Sequence, residues 1–124
     1  MLHTARSYPL QITRKVPCTN ETVTLDLTLD LDTKWRVDGE WVDFVVQAKL
    51  TGSPSGHTTV QVVPSSAHFG FSSPQYGKTG HLHEMHTLLL GQPAAVELVV
   101  GIEQTMDGSG LLIVQPGQVR VECV

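Results

Sequence analysis

The stretch Val23–Leu50, VTLDLTLDLDTKWRVDGEWVDFVVQAKL, decides the fold of this chain. From Val23 to Val37, odd positions carry mostly Val, Leu and Trp, and even positions carry Thr, Asp, Lys and Arg. Side chains of a strand point alternately to the two faces of a sheet, so this period of two predicts a half-buried β-strand. The alternation resumes from Val42 to Leu50. The stretch therefore predicts two amphipathic strands in succession.

A turn between these two strands is indicated by the dipeptide Asp38-Gly39, which suits a two-residue type I′ turn. Such a turn predicts five cross-strand pairs, which are Val37–Glu40, Arg36–Trp41, Trp35–Val42, Lys34–Asp43 and Thr33–Phe44. In this register the apolar residues of both strands share one face, and a lysine lies opposite an aspartate on the other. Because pattern, turn and charge agree, we predict a long hairpin at about residues 23–51.

Strand-like runs recur along the rest of the chain and are separated by clusters of Gly, Pro and Ser. These runs are Leu10–Val16, Thr58–Val63, Ala67–Phe71, Leu82–Leu90, Ala94–Gln104, Leu111–Val114 and Gln118–Val124. We predict an all-β fold, an antiparallel two-sheet β-sandwich of jelly-roll-like or immunoglobulin-like architecture, with a small β-barrel as the second possibility. Residues 1–124 are predicted to form a single domain, because the length is that of one ordinary domain.

The charge distribution argues against two classes of partner. The net charge is −4, and the eight Lys and Arg residues are scattered along the chain. Nucleic acids and anionic membrane surfaces both require clustered positive charge, so we expect neither as a partner. The first nine residues contain no continuous apolar segment of the kind found in signal peptides, which predicts a cytoplasmic location.

The two cysteines, Cys18 and Cys123, leave two possibilities open. The favoured expectation is two free thiols in a reducing compartment, with Cys123 facing the core because it alternates with Val119 and Val121. The alternative is a disulfide that joins the first and last strands, and its reach is not decided by sequence.

The segment Gly70–Gly80, GFSSPQYGKTG, is the least regular part of the chain. Its glycines and proline predict a long loop. Long loops of compact domains are often functional, and this one carries Phe71 and Tyr76, which could line a binding site.

The histidines of the Leu82–Leu90 region suggest a possible metal site. On a strand, His81 and His83 lie on one face about 7 Å apart, a spacing that can chelate a first-row transition metal with a further ligand from elsewhere. His86 then points to the opposite face, whereas in a helix His83 and His86 would be neighbours. We consider His81, His83 and His86 as candidate ligands, with surface histidines as the ordinary interpretation.

Asp26, Asp30 and Asp32 form a row of carboxylates on the outward face of the first hairpin strand. Their spacing of about 7 Å between alternate residues suits a pair of catalytic carboxyls. A solvated row of Thr and Asp on an exposed sheet face is the ordinary interpretation, and such a row also discourages aggregation between sheet edges.

The outward face at the hairpin tip is the second candidate site. There Trp41 faces away from the core, near Arg36, Lys34 and Asp43, with Tyr76 as a second aromatic. An outward Trp beside charged, hydrogen-bonding side chains is typical of a sugar platform or a protein-binding hot spot. The alternatives are a cation–π pair of Trp41 with Arg36, or a second sheet or loop that covers this face.

Three functions follow from these features. The first is a non-catalytic binding or self-assembly module that uses the outward Trp and Arg face, with a protein partner or a homo-oligomer and no cofactor. The second is a carbohydrate-binding module that uses Trp41. The third is a metal-dependent barrel enzyme with one divalent transition metal at His81 and His83. Whether the chain is an enzyme stays open, and the absence of a convincing catalytic constellation favours the first function.

Overall fold

The structure is a computed structural model, and it describes residues 2–55, 60–91, 95–109 and 111–124. The strands of the described part are β1 (Leu2–Lys15), β2 (Thr22–Asp38), β3 (Trp41–Pro54), β4 (Gln61–Val62), β5 (Ser65–Pro74), β6 (Lys78–Leu90), β7 (Val96–Asp107) and β8 (Leu112–Cys123). Most predicted runs are confirmed as strands but are longer than predicted. The run Thr58–Val63 is the exception, since among its described residues only Gln61 and Val62 form a strand, β4. Residues 58, 59 and 94 of the predicted runs lie outside the described residues.

The strands form two antiparallel sheets, and the prediction of an all-β sandwich is confirmed. Sheet A has the order β1-β2-β3-β5 and sheet B the order β4-β6-β7-β8. A curled, half-barrel sheet is also present, which relates the fold to the barrel that we considered second. The first three strands and the last three are each paired in chain order, as in a meander.

The two meanders are joined by an exchange of strands. After β3 the chain enters sheet B as the short β4, returns to sheet A as β5, and then enters sheet B again as β6. As a result, β5 pairs with β3 along ten residues, from Trp41–Pro74 to Leu50–Ser65. Each sheet therefore holds one strand from the crossover region beside its own meander.

The core lies between the sheets and is built from the inward positions of both. On β2 and β3 these positions are the alternating apolar residues of the sequence pattern, as expected for one buried face per sheet. The largest fully buried apolar side chains include Leu25, Leu27, Leu29, Phe44 and Leu50 from sheet A, and Leu98, Ile102 and Met106 from sheet B. Burial of each such side chain stabilises the fold by about 1.5–3 kcal/mol.

The hairpin of β2 and β3 is confirmed, but the predicted register is wrong by two residues. The structure pairs Asp38 with Trp41 and Arg36 with Asp43, so the two-residue turn is Gly39-Glu40. Gly39 has a φ of 63°, and a glycine with positive φ at the first turn position is typical of a type II′ turn. A shift of two residues keeps every side chain on its face. The predicted core face is therefore unchanged, while the outward partners differ.

The predicted loop Gly70–Gly80 is wrong, since β5 continues to Pro74 and β6 begins at Lys78. Only residues 75–77 form the turn between the two sheets. Gly70 lies within β5 opposite Val45, where a Cβ atom would come within 2.8 Å of the carbonyl oxygen of Phe44. This glycine therefore reflects a close approach of two backbones, and it is not a sign of a loop.

The last two predicted runs, Leu111–Val114 and Gln118–Val124, belong to one strand, β8. Its pairing with β7 is interrupted by a register shift between Val100 and Ile102, after which Ile102 pairs with Pro116. Pro116 lacks an amide hydrogen, and it is tolerated because β8 is an edge strand beside an irregularity. The proline and glycine at 116 and 117 thus mark a bulge and not a break.

Cys18 and Cys123 form a disulfide with their Cα atoms 6.1 Å apart, so the expectation of two free thiols is wrong. Cys18 lies in the turn between β1 and β2, and Cys123 is the last residue of β8. The bond therefore links sheet A to sheet B, much as the alternative prediction of a bridge between first and last strands required. Cys123 is half-buried against the core, as its alternation indicated.

Candidate functional site

The outward face of sheet A carries the residues predicted for the hairpin tip. Lys34 and Arg36 lie on β2, and Asp43 lies on β3. The structure brings all three together, because they line one shallow depression of about 450 Å³. Asp32, Val45, Gln47 and His68 complete its lining.

A second depression of about 490 Å³ adjoins the first and shares Asp32, Gln47 and His68 with it. It extends along β3 to Lys49 and is lined by Ser66 of β5. From Asp43 to Lys49 the strand rises by about 20 Å. The two depressions together form a long, shallow groove, which we call the β3 groove; polar and charged residues line it, while apolar atoms make up most of its exposed surface.

Trp41 lies at the hairpin end of the β3 groove, two residues before Asp43 on the same face of β3. Its neighbours in the register are Asp38 on β2 and Pro74 on β5. The side chain is 52 % exposed, so neither the second sheet nor a described loop covers it. Arg36 lies opposite Asp43 and not opposite Trp41, so the predicted cross-strand Arg36–Trp41 pair is wrong.

Tyr76 reaches the same end of the molecule by way of the turn between β5 and β6. In that turn the backbone N–H of Gln75 donates a hydrogen bond to the carbonyl oxygen of Glu40, with an N···O distance of 2.7 Å. This bond fixes the turn beside the hairpin tip, and Tyr76 is 68 % exposed there. The structure therefore places two exposed aromatic side chains at one end of the β3 groove.

Asp43 is the electrostatic centre of the groove's hairpin end. Its carboxylate accepts hydrogen bonds from Ser72 Oγ and, at 3.4 Å, from Arg36 Nη2. The Ser72 bond first, and then the bond and charge of Arg36, hold the pKa of Asp43 below its ordinary value. Asp43 is thus a persistent carboxylate and hydrogen-bond acceptor at neutral pH.

Gln47 and His68 are two of the groove residues that sequence reasoning missed, together with Lys49 and Ser66. Gln47 follows the outward alternation of Asp43 and Val45, so its face was readable from the pattern. His68 lies opposite Gln47 only because β5 pairs with β3. That pairing follows from the strand exchange, for which the sequence carries no local signal.

The aspartate row of β2 also lies on the outward face, and each member is matched by a polar side chain of β1. Gln11 donates to Asp26, Ser7 donates to Asp30, and His3 contacts Asp32 at 2.6 Å. The row is therefore a set of cross-strand polar pairs, as expected for the ordinary interpretation of this face.

The three candidate metal ligands are divided between the two faces of sheet B. His81 stacks on Phe71 with ring centroids 4.6 Å apart, and His83 stacks on Phe69 at 4.1 Å. His86 lies on the opposite face and bonds to Glu97. Within the described residues, no group of three or more His, Cys, Asp or Glu side chains is arranged to hold a metal ion. The imidazoles of His81 and His83 instead cover aromatic rings where β5 and β6 meet.

Comparisons with known proteins add no relative. No family model, no curated protein and no solved structure matches this chain. Within the described residues, no helix has the length and apolar character needed to cross a membrane.

Proposed function

We propose that this protein is a non-catalytic binding module whose ligand lies in the β3 groove. The observation that carries the proposal is the convergence of Lys34, Arg36 and Asp43 in one depression that ends at exposed Trp41. General acids and bases act best with a pKa near the working pH, and the pKa of Asp43 is shifted away from neutrality. Asp43 therefore suits ligand recognition better than proton transfer.

A carbohydrate chain is the ligand class that this groove suits best. Aromatic side chains such as Trp41 and Tyr76 present an apolar ring face with a polar edge, which suits stacking on sugar rings. Both signs of charge line the groove, so hydroxyl groups find donors in Lys34 and Arg36 and an acceptor in Asp43. The length of about 20 Å accommodates an extended oligomer rather than a single sugar.

Self-assembly is the second candidate, and exposed apolar side chains at the same end of the molecule favour it. Val45 is 42 % exposed on the same face as Trp41, four residues along β3, and Val37 is 45 % exposed on the opposite face of the hairpin tip. Clusters of exposed apolar and aromatic residues mark protein contact sites. In this case a second copy of the chain binds to the exposed apolar side chains of the hairpin tip.

The test is affinity electrophoresis in gels that contain hydroxyethyl cellulose, xylan, mannan or soluble chitosan. We expect one polysaccharide to retard the protein, and the Trp41→Ala variant to lose at least about tenfold in affinity, as for a hot-spot residue. Leu82→Ala is the matched control, because Leu82 is an exposed apolar side chain of sheet B. Sedimentation velocity on the same proteins measures self-association. If neither retardation nor self-association changes in Trp41→Ala, the proposed binding surface is wrong.

The cellular location stays a prediction. The disulfide is typical of proteins in oxidising compartments, which argues against the cytoplasmic location expected from the first residues. Alkylation of free thiols in freshly lysed cells, followed by mass analysis, distinguishes an oxidising compartment from the cytoplasm. A bridged native protein places the chain in an oxidising compartment, and two alkylated cysteines agree with the cytoplasm.

A further inference from the structure

A second site lies between the sheets, away from the β3 groove, where β1 and β8 approach each other. Tyr8 Oη donates a hydrogen bond to the carbonyl oxygen of Val114, at 3.2 Å, and so joins the two strands. Beyond this bond, toward the start of β1, the inward residues of β1 are exposed, while Leu31 and Thr33 of β2 stay buried. Leu2 is 54 % exposed there, whereas Ile12 at the other end of β1 is 6 % exposed. The sheets therefore diverge from Tyr8 onward and leave an open cleft.

The cleft has a volume of about 400 Å³, which lies within the range of small-molecule sites. Its walls come from both sheets and expose polar and apolar atoms in similar measure, with apolar side chains supplied by Leu31 and Trp35 on β2 and by Leu112 and Val114 on β8. These apolar side chains suit the apolar part of an amphipathic ligand.

Arg6 is the exceptional residue of this cleft. It pairs with Leu31 in the register of β1 and β2, and directly paired residues lie on the same face of a sheet. Leu31 belongs to the core, so Arg6 occupies an inward position, and it also lines the cleft. Among the described residues, no Asp or Glu lines the cleft and no carboxylate forms an ion pair with Arg6.

We propose that the cleft binds a small amphipathic monocarboxylate. The guanidinium of Arg6 is always charged and offers a planar set of donors that matches a carboxylate. One cation without an acidic neighbour is complementary to one negative charge, which favours a carboxylate over a phosphate dianion. The aliphatic and aromatic walls take the apolar part, and Thr4 and Thr33, which pair with each other beside the Arg6–Leu31 pair, also line the cleft.

The experiment uses decanoate as the probe and fluorescence as the readout. Trp35 and Trp41 are the two tryptophans of the chain, so a Trp41→Phe background leaves Trp35 in the cleft wall as the reporter. We expect the fluorescence of Trp35 to change saturably as decanoate is added at concentrations below its micelle concentration. Decanol has the same chain without the charge, and we expect it to bind at least about tenfold more weakly, the usual effect of losing a charge-assisted hydrogen bond.

Variants in the same background test the role of the charge. We expect Arg6→Gln to weaken decanoate binding at least about tenfold, to the level of decanol. Arg14→Gln is the matched control, because Arg14 lies on the same face of β1 as Arg6 but does not line the cleft, and decanoate binding to it is expected to stay within about twofold. Arg6→Glu is expected to reject decanoate and to bind decylammonium. Absence of a saturable response, equal affinities for decanoate and decanol, or an equal loss in both Gln variants would overturn the proposal. Because Arg6 is exposed, circular dichroism is expected to show all variants folded.

Discussion

Removal of the disulfide is expected to destabilise the protein through its unfolded state. The bond closes a loop between residues 105 positions apart, from Cys18 to Cys123. The chain-entropy relation gives about 4.7 kcal/mol for a loop of this length. Cys18 is exposed and Cys123 is half-buried, so replacing both with Ser leaves no large cavity and adds little to this value. With an unfolding entropy of about 2.1 cal/mol/K per residue, the Tm is expected to fall by roughly 15–20 °C.

The assay is equilibrium unfolding in urea, followed by circular dichroism, of the wild type and of the Cys18→Ser/Cys123→Ser variant. A reducing agent provides the control, since it should lower the midpoint of the wild type and leave the variant unchanged. A cross-linked unfolded chain is more compact, so the m value is expected to rise in the variant. Equal midpoints for the wild type and the variant would refute the assignment of the cross-link as a major source of stability.

Three further predictions follow from single contacts. Gly70→Ala places a Cβ atom within 2.8 Å of the Phe44 carbonyl oxygen, so urea unfolding should show a loss of about 1–3 kcal/mol, whereas Gly80→Ala, with its nearest contact at 3.6 Å, should change stability little. Ser72→Ala is expected to raise the pKa of Asp43, because the Ser72 bond is the largest single cause of its lowered value, and a carboxyl ¹³C NMR titration that finds no rise would contradict this. The same lowered pKa means that Asp43 stabilises the folded state above its unfolded-state pKa and loses this contribution as the pH falls through its folded-state pKa. Arg120→Ala is expected to raise the pKa of Glu84, whose lowered value comes first from the Arg120 bond, and NMR titration of Glu84 in the two proteins measures it.

The faces of the strands could be predicted from the sequence, whereas the register could not. Alternation assigns each residue of β2 and β3 to the core or to solvent, and this assignment is unchanged by a shift of two residues. The register depends on which turn position Gly39 occupies. The pair Asp38-Gly39 favours a type I′ turn, the pair Gly39-Glu40 favours a type II′ turn, and the sequence allows both. The prediction of one outward face for Trp41, Lys34, Arg36 and Asp43 was therefore correct. Their predicted cross-strand partners were wrong.

Features that depend on contacts between distant segments were not predictable. The disulfide requires that the turn after β1 and the end of β8 come together, which is a property of the sandwich and not of either segment. Two of the three glycines that suggested a loop, Gly70 and Gly80, lie in strands, and only the pairing of β5 with β3 shows why Gly70 is needed. Both failures arise where tertiary contacts outweigh local preference.

The exchange of β4 and β5 makes the two halves of the chain mutually dependent. The segment that ends with β3 lacks the strand that covers its edge, and the segment that begins with β4 carries β5, whose paired strand, β3, belongs to the other segment. A polypeptide divided between β3 and β4 would therefore yield two pieces that complete each other through strand pairing. The fold is therefore suited to a split protein, in which one fragment supplies β5 to the sheet of the other fragment.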